Sequence, residues 1–457
     1  MLHQRWMSLG LVVIASGCVI APRAAREEQA AVARAGEAYA VPFEERALPQ
    51  IPAVPTWRDV VRRALVANGE LEAAYYAWAA AAHRIDQAGA YPNTPFSLDV
   101  GRALSGSGSG FDRTSLVFGF DPMEDLAFPT KVYQAAKVAT AEARTAGRRL
   151  VALRFDLQRR TLNAWYDYVL LAEQQRVAEE RTVLARVDVA TAAARVAGGA
   201  ERSLLVAADA ATHRAEDDRA TLAASLRRAR AGLNAMLARE ADAPLPPPEG
   251  LEPARPLPAD DAWILAVAAE RDPELALLAN EIQGRDDALA LARQRYIPDF
   301  NPFVGTEGAA AQMAGVVISI PTMLREVGAM IRAARAELEA ARVRERQARF
   351  DRASAVVAAL VTARDADRRV RVYAGPLREA AERAVVTADV AYAGDLGTYD
   401  TLLEARRLPL EVRLLGAEAR TLREKAVADL EALLGVDAES LAAAAPVERV
   451  AGREGER

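Results

Sequence analysis

The chain has 457 residues and a formal net charge of −5, an imbalance too small to imply a nucleic-acid partner. Its single cysteine excludes an internal disulfide. Alanine and arginine are abundant and aromatic residues few, a composition suited to long helices. Past the N-terminal leader no stretch reads as a transmembrane helix.

The first element is that leader. Arg5 gives a positive start, and the apolar run Trp6 to Ala15 is shorter than the ~20 residues a membrane-spanning helix needs. Small residues Ala15, Ser16 and Gly17 then precede Cys18, the pattern of a secretory signal over residues 1–17 followed by a processing site. The quartet Ala15-Ser16-Gly17-Cys18 resembles the bacterial lipobox, with Ala15 where Leu is usual. In lipobox proteins the cysteine is lipidated and becomes the new N-terminus. Val19 in the next place fits sorting to the outer membrane, and residues 18–56 read as a lipidated extended segment. The alternative is an ordinary signal peptide with a chance cysteine.

A short helix is expected from Trp57 to Ala67, then Asn68-Gly69-Glu70-Leu71 and a helix ending at Tyr91-Pro92. Phe96, Leu98 and Val100 alternate with polar or small residues. So do Leu116, Phe118 and Phe120 beyond the Gly-Ser loop 105–110, which predicts a β-hairpin over about 95–121. From Pro129, well placed in a first helical turn, a helix runs to Ala197. The Gly198-Gly199 pair ends it, and a return helix spans Glu201 to Arg239. The proline-rich stretch 241–261 reads as an extended linker.

The same order then returns. Trp263 opens a segment to Arg271, Asp272-Pro273-Glu274-Leu275 follows, and a helix ends at Ile297-Pro298. A second hairpin covers about 299–320. A long helical stretch runs from Thr322 to Ala393 and a return helix from Leu396 to Gly435, with kinks expected at Gly375-Pro376 and Pro409. "LNAML" at 233–237 matches "LEALL" at 430–434. The chain therefore reads as two repeats, 57–240 and 262–437, with a tail at 438–457. The helix 129–197 would be about 104 Å long, and the shorter helices of its repeat laid end to end nearly match it.

Helix, β-hairpin, long helix, glycine tip and return helix, given twice, resembles the TolC family of outer-membrane efflux channels. The carrying segments are "NGELEAAYYAWAAAAHRIDQAGAYP", "DPELALLANEIQGRDDALALARQRYIPDF", "RVAGGAERSLLVAADAA" and "AYAGDLGTYDTLLEARR". The last matches the family's tip pattern at Tyr392, Gly394, Thr398, Leu403, Glu404 and Ala405. Gly394 lies one place nearer Tyr392 than is typical, and Thr401 replaces the usual Asp. With the lipobox, the resemblance is to the lipidated branch, which includes metal-efflux members.

The resemblance implies a mainly α fold with a small β part. Duplicated long helical hairpins would form a periplasmic α-barrel. Four strands per chain would join a trimeric, twelve-stranded outer-membrane β-barrel. Elementary chemistry agrees, because four strands leave two bare edges that lipid cannot satisfy. The expected partners are two further copies of the chain, a periplasmic adaptor (membrane fusion protein), an inner-membrane pump such as a resistance-nodulation-division transporter, and outer-membrane lipid. The tips that dock the adaptor would carry Gly198, Gly199, Ser203, Tyr392, Gly394 and Thr398, with Gly198, Gly199 and Gly394 free to turn left-handed. Asp400 and Glu404 are candidates for an acidic gate ring that would focus potential and favour cations, against the plainer reading of exposed helix carboxylates.

No catalytic constellation, phosphate loop or metal-ligand spacing appears, and no cofactor or enzyme activity is expected. His83 and His213 read as helix-surface residues, and the helical charge pairs as solvated faces. A periplasmic adaptor would have one helical hairpin framed by β halves, and a coiled-coil scaffold lipoprotein would not need matched β-hairpins. Drugs, metal ions and secreted proteins all remain as cargo.

Overall fold

The computed structural model describes residues 19–91, 96–102, 114–120, 126–248, 250–307 and 311–445. The leader, Cys18, the Gly-Ser loop of the first hairpin and the end of the tail lie outside them. The chain divides into two compact units. One comprises residues 1–40, 72–151 and 274–349, and the other residues 41–71, 152–273 and 350–457. The helices, in chain order, are α1 (Arg23–Gly36), α2 (Trp57–Ala67), α3 (Gly69–Gly89), α4 (Pro129–Ala197), α5 (Arg202–Met236), α6 (Asp261–Arg271), α7 (Pro273–Arg293), α8 (Leu324–Ala374), α9 (Pro376–Ala393), α10 (Tyr399–Leu434) and α11 (Ala438–Ala444).

The first unit holds the strands β1 (Phe96–Arg102), β2 (Thr114–Phe120), β3 (Asp299–Glu307) and β4 (Ala311–Ser319). They form one antiparallel sheet in the order β1-β2-β3-β4, so hairpins far apart in sequence share a single ladder. Leu98 pairs with Phe118, Phe118 with Val304, and Val304 with Ala314. Pro302 would be a misfit in a central strand because it donates no hydrogen bond. The β2–β3 ladder stops at the Gly119–Phe303 pair, just short of it. Pairing resumes beyond it, where Leu126 and Phe300 exchange backbone bonds of 2.9 and 3.2 Å.

The segment after Cys18 is not extended throughout. Residues 23–36 form α1, which buries Ala25 and Val32 against Trp78 and Ile85 of α3 and Ala139 and Ala143 of α4. Trp78 anchors this contact by donating from Nε1 to Glu28 at 2.7 Å. Gly147 permits it, since a Cβ there would stand 2.9 Å from the Trp78 ring. Ile20 donates its backbone N–H to Gly89 at 2.7 Å, fixing the start of the described chain to the end of α3.

The second unit is built from the long helices and two apolar clusters. α2 begins with a capping box, in which Asp59 N–H donates to Thr56 Oγ1 at 3.3 Å and Thr56 N–H donates to Asp59 at 3.0 Å. Its Trp57 and Val60 pack with Leu162 and Trp165 of α4 and Leu233 of α5. A second cluster gathers Ile264 of α6, Val356 and Leu360 of α8, and Leu430 and Leu434 of α10. Fully burying each leucine contributes about 1.5–3 kcal/mol relative to exposure.

The matched pentapeptides end their helices in parallel ways. Asn234, fully buried, donates from Nδ2 to the carbonyls of Ala241 and Ala243 at 3.1 and 2.9 Å. Glu431, the matching residue, accepts from Ala438 N–H at 2.8 Å. Each buried polar side chain turns the chain that follows its helix. The tail accordingly begins as the packed helix α11, with Ala438 and Leu441 buried. Gly435 closes α10 at φ +63°, and a Cβ there would lie 2.7 Å from Pro273 Cγ. Gly435→Ala should therefore lower stability by more than the ~1 kcal/mol of an ordinary left-handed alanine. A thermal-melt comparison in detergent checks this, and an unchanged midpoint would show that the junction yields.

The described residues of the proline-rich stretch 241–260 form no helix or strand, and they pack as a strap on the helices. Tyr168 and Arg176 donate to the carbonyls of Leu245 and Pro248, and Arg364 to that of Pro258. Arg255, 2% exposed, donates to Glu424 at 2.8 Å through Nε and to Glu431 at 2.8 Å through Nη1. Arg423 donates to the Arg255 carbonyl at 2.6 Å and pairs with Asp367 at 2.7 Å. Burial opposes the Arg255 charge, but the neighbouring Glu431, Tyr166 and Glu424 outweigh it and hold the guanidinium above its ordinary value. These charges are not a solvated face, which corrects the expectation from the helical spacing. Periodicity marks a face as polar, but only a partner from another element makes it buried.

The expected kinks have different outcomes. At Gly375-Pro376 the helix breaks into α8 and α9, whereas α10 runs through Pro409 without interruption.

Candidate functional site

The helical tips lie in the second unit. α4 ends in a Schellman motif, with Ala200 N–H on the Arg195 carbonyl at 3.0 Å and Gly199 N–H on that of Val196 at 3.1 Å. Gly199 takes the left-handed position at φ +102°, while Gly198 still donates helically to Ala194. Ser203 lies in the first turn of α5, its hydroxyl donating to Glu201 at 3.0 Å.

The second tip uses the same motif with a different residue. Leu396 N–H donates to the Ala391 carbonyl at 2.9 Å and Asp395 N–H to that of Tyr392 at 3.2 Å. The left-handed residue is Asp395, at φ +55°, and not Gly394, whose φ is −92°. This corrects the expectation for Gly394. Gly394 continues the helix by donating to Val390, so the reversal falls one residue later. That is the place where the tip pattern usually has its glycine, and Asp tolerates the conformation better than most side chains. Leu396, at the apex, is 89% exposed.

Thr398 caps α10. Its Oγ1 accepts from Thr401 N–H at 3.3 Å, and the Thr401 hydroxyl donates back to the Thr398 carbonyl at 2.6 Å. Thr401, which departs from the pattern's Asp, thus completes the cap. Asp400 and Glu404 stand one turn apart and exposed, and neither makes an ion pair among the described residues. Asp400 in the first turn also suits the positive end of the α10 dipole.

Next to the proposed gate lies a tie that the sequence reading missed. Tyr399 is buried at the start of α10, and its hydroxyl donates to Asp188 Oδ1 of α4 at 3.0 Å. Arg407 reaches the other oxygen of Asp188 at 3.4 Å. Arg195 covers the Tyr399 ring at 4.9 Å, and the Tyr392 ring lies 5.8 Å from it. Tyr392 thus supports the tie through ring contact. Burial raises the Tyr399 pKa above its ordinary value; a hydrogen bond with Thr191 opposes this and the one to Asp188 adds to it. The only hint in the sequence was Asp188 itself, a lone acid between Val187 and Val189 in an alanine-rich run.

His83 is exposed, and His213 is exposed with Asp209 and Glu216 at 3.8 and 4.0 Å. Among the described residues no cluster suited to a metal ion exists, and no helix is long and apolar enough to cross a membrane. Cys18 lies outside the described residues.

Two long helical hairpins, a shared four-stranded sheet and reversed helical tips define the fold of the TolC-type outer-membrane channels. The chain aligns over 83% of its length with 96% of VceC, an outer-membrane protein of Vibrio cholerae, at a TM-score of 0.68 and 17% identity. It aligns over 84% of its length with 90% of the outer-membrane channel OprN, at 0.69 and 18%. With CusC, a protein that forms a transmembrane channel, it shares 85% of its length and 98% of that chain, at 0.65 and 17%. No family sequence model matches the chain, and no curated protein matches it in sequence.

Proposed function

We propose that this chain belongs to the TolC family and is the outer-membrane channel of a tripartite efflux system. It is a passive trimeric duct that docks a periplasmic adaptor and an inner-membrane pump, and it performs no chemistry on its cargo. The two segments 57–240 and 262–437 are its repeats. The observation that carries the reading is the sheet. A hairpin from each repeat joins one ladder whose outer strands, β1 and β4, each keep one side unpaired among the described residues. In lipid each unsatisfied backbone group costs several kcal/mol. Three copies close twelve strands into an even barrel. The likeness to VceC, OprN and CusC supports the same assembly.

Docking falls to the tips, at Gly198, Gly199 and Ser203 on one and Tyr392, Gly394 and Thr398 on the other, with Leu396 as an apolar apex. Asp400 and Glu404 form the acidic ring. Replacing both with Ala should reduce cation preference in planar bilayers, with little change in conductance. Unchanged reversal potentials in a salt gradient would return them to ordinary helix carboxylates.

Cys18 is the lipid anchor. The bond from Ile20 to Gly89 supports this, because it holds the chain just after Cys18 at the end of α3, a few residues before β1 begins. Cys18→Ser should abolish palmitate labelling, since the thiol accepts the acyl chain. Equal label on both proteins would remove the lipoprotein assignment.

A further inference from the structure

Two adjoining cavities form a trough in the second unit. The larger, of about 830 Å³, opens where α8 ends at Ala374 and α9 restarts on Pro376. Gly416 of α10 faces it without a side chain, and a Cβ added there would come no nearer than 3.7 Å, to that of Tyr373. The buried Val169 and Leu410, with Leu251 of the strap, give it apolar walls. The smaller cavity, of about 550 Å³, shares Glu180, Pro409 and Leu410 with the first. Its other walls are Val183 and Leu184 of α4 and Val385 of α9. Val183 is 60% exposed, an apolar side chain that the chain's own helices leave uncovered. Along α10 the two cavities extend from Arg420 to Arg406, about 21 Å of helix.

The charges along the trough are sorted by end. In its middle Arg413 pairs with Glu180 at 2.7 Å, and Arg176 with Glu173 at 2.6 Å. At the end next to the strap, Arg420 is exposed and makes no ion pair among the described residues. Arg378, also exposed, has Glu382 no nearer than 4.0 Å. At the opposite end Arg406 is neutralised by Asp389 at 2.9 Å. Glu179 remains there, meeting the neutral Gln175 at 3.0 Å. One end is therefore open to an anion, the other repels one, and the surface between them is apolar.

We propose that the trough binds a free long-chain carboxylate. Its head group lies at the Arg378 and Arg420 end, where a guanidinium can hold a carboxylate by paired hydrogen bonds. Its chain passes Leu410 and fills the groove of Val183, Leu184 and Val385, removing that surface from water. A small inorganic anion would leave the groove empty, and an uncharged chain would leave the arginines without a partner. The trough is of the size that encloses small-molecule ligands. The unit that holds it contains none of the four strands, so the occupant is a free amphiphile and not a lipid of the bilayer. The site goes beyond the channel reading and does not need it.

The test uses the full-length protein in lipid nanodiscs and hexadecanoate carrying a photoreactive diazirine at the chain end. After illumination, mass spectrometry should place the label on the segments of Val183 and Val385, and unlabelled hexadecanoate should compete it away. Arg378→Gln with Arg420→Gln should cut this labelling about tenfold, the loss of a charge-assisted hydrogen bond. Both side chains are exposed, so the fold survives the change. Gly416→Leu, which favours the helix and puts bulk into the larger cavity, should abolish the labelling. The diazirine-bearing amine of the same length should label these segments weakly. Equal labelling by acid and amine, labelling that persists in the double arginine variant, or label found on the strands alone would each overturn the site. A chain that fails to reach the outer membrane would count against the channel reading alone, because the labelling pattern does not depend on it.

Discussion

Arg255→Ala should destabilise the folded chain by about 3–5 kcal/mol, the usual cost of removing one member of a buried ion cluster. Glu424 and Glu431 would be left buried, at 4% and 3% exposure, without the guanidinium that bonds them both. The strap would lose its own buried guanidinium, keeping Arg423 on the Arg255 carbonyl, and the carbonyl of Glu424 would lose one of its donors. Thermal melts in detergent read this as a large fall in midpoint. The cost lies mainly in Glu431, left buried without a cation, since Glu424 keeps Arg423 at 2.5 Å, and less in the lost attraction. Arg255→Met combined with Glu424→Gln and Glu431→Gln should therefore recover much of the loss. If the single variant melts like wild type, water reaches the cluster and the strap is looser than its geometry indicates.

Asp188→Ala should open the tips. Asp188 accepts from Tyr399 and pairs with Arg407, and a hydrogen bond to a charged group contributes about 1.5–3 kcal/mol. In a closed–open equilibrium that is roughly a tenfold shift or more per protomer. Single-channel recording should show a large increase in open probability. Tyr399→Phe should give a smaller increase, because Arg407 still holds Asp188. The pH dependence follows from the raised Tyr399 pKa. A raised value means that the hydroxyl's contribution is fully present below the unfolded tyrosine value of about 10 and is lost only as pH rises through the higher folded value. The wild-type tip should stay shut across neutral and mildly alkaline pH. Equal open probability in wild type and Asp188→Ala would mean that the tie does not hold the tip.

The long helices were legible because their signals are local. Pro129 fits a first turn, Gly198-Gly199 ends the run, and the pattern between them never lapses, so α4 has the bounds read from sequence. The hairpins were legible from period-two alternation, but nothing local says that β2 pairs with β3, since that contact joins distant segments. The strap was legible as an extended stretch, but its packing was not, because prolines report backbone stiffness and carry no information on what the carbonyls between them will meet. The Arg255 cluster was misread for a related reason, as Glu424 and Glu431 sit at spacings that also occur on open helix faces. Tyr399 and Asp188 lie on different helices and become partners only when the two hairpins stand side by side. The turn at Asp395 shows the limit from the other direction. Glycine is the usual left-handed residue, but the helix used Gly394 for one more bond and left the reversal to its neighbour.

The most direct measurement of the central claim is gel electrophoresis of outer-membrane fractions from cells making the full-length protein, with and without heating. The account predicts that the chain is found in the outer membrane and migrates unheated as a trimer, because the four strands of one copy cannot close their own edges in lipid. Heating should convert it to a monomer of 49.1 kDa, less the leader. A monomer in the soluble periplasmic fraction, indifferent to heating, would contradict it.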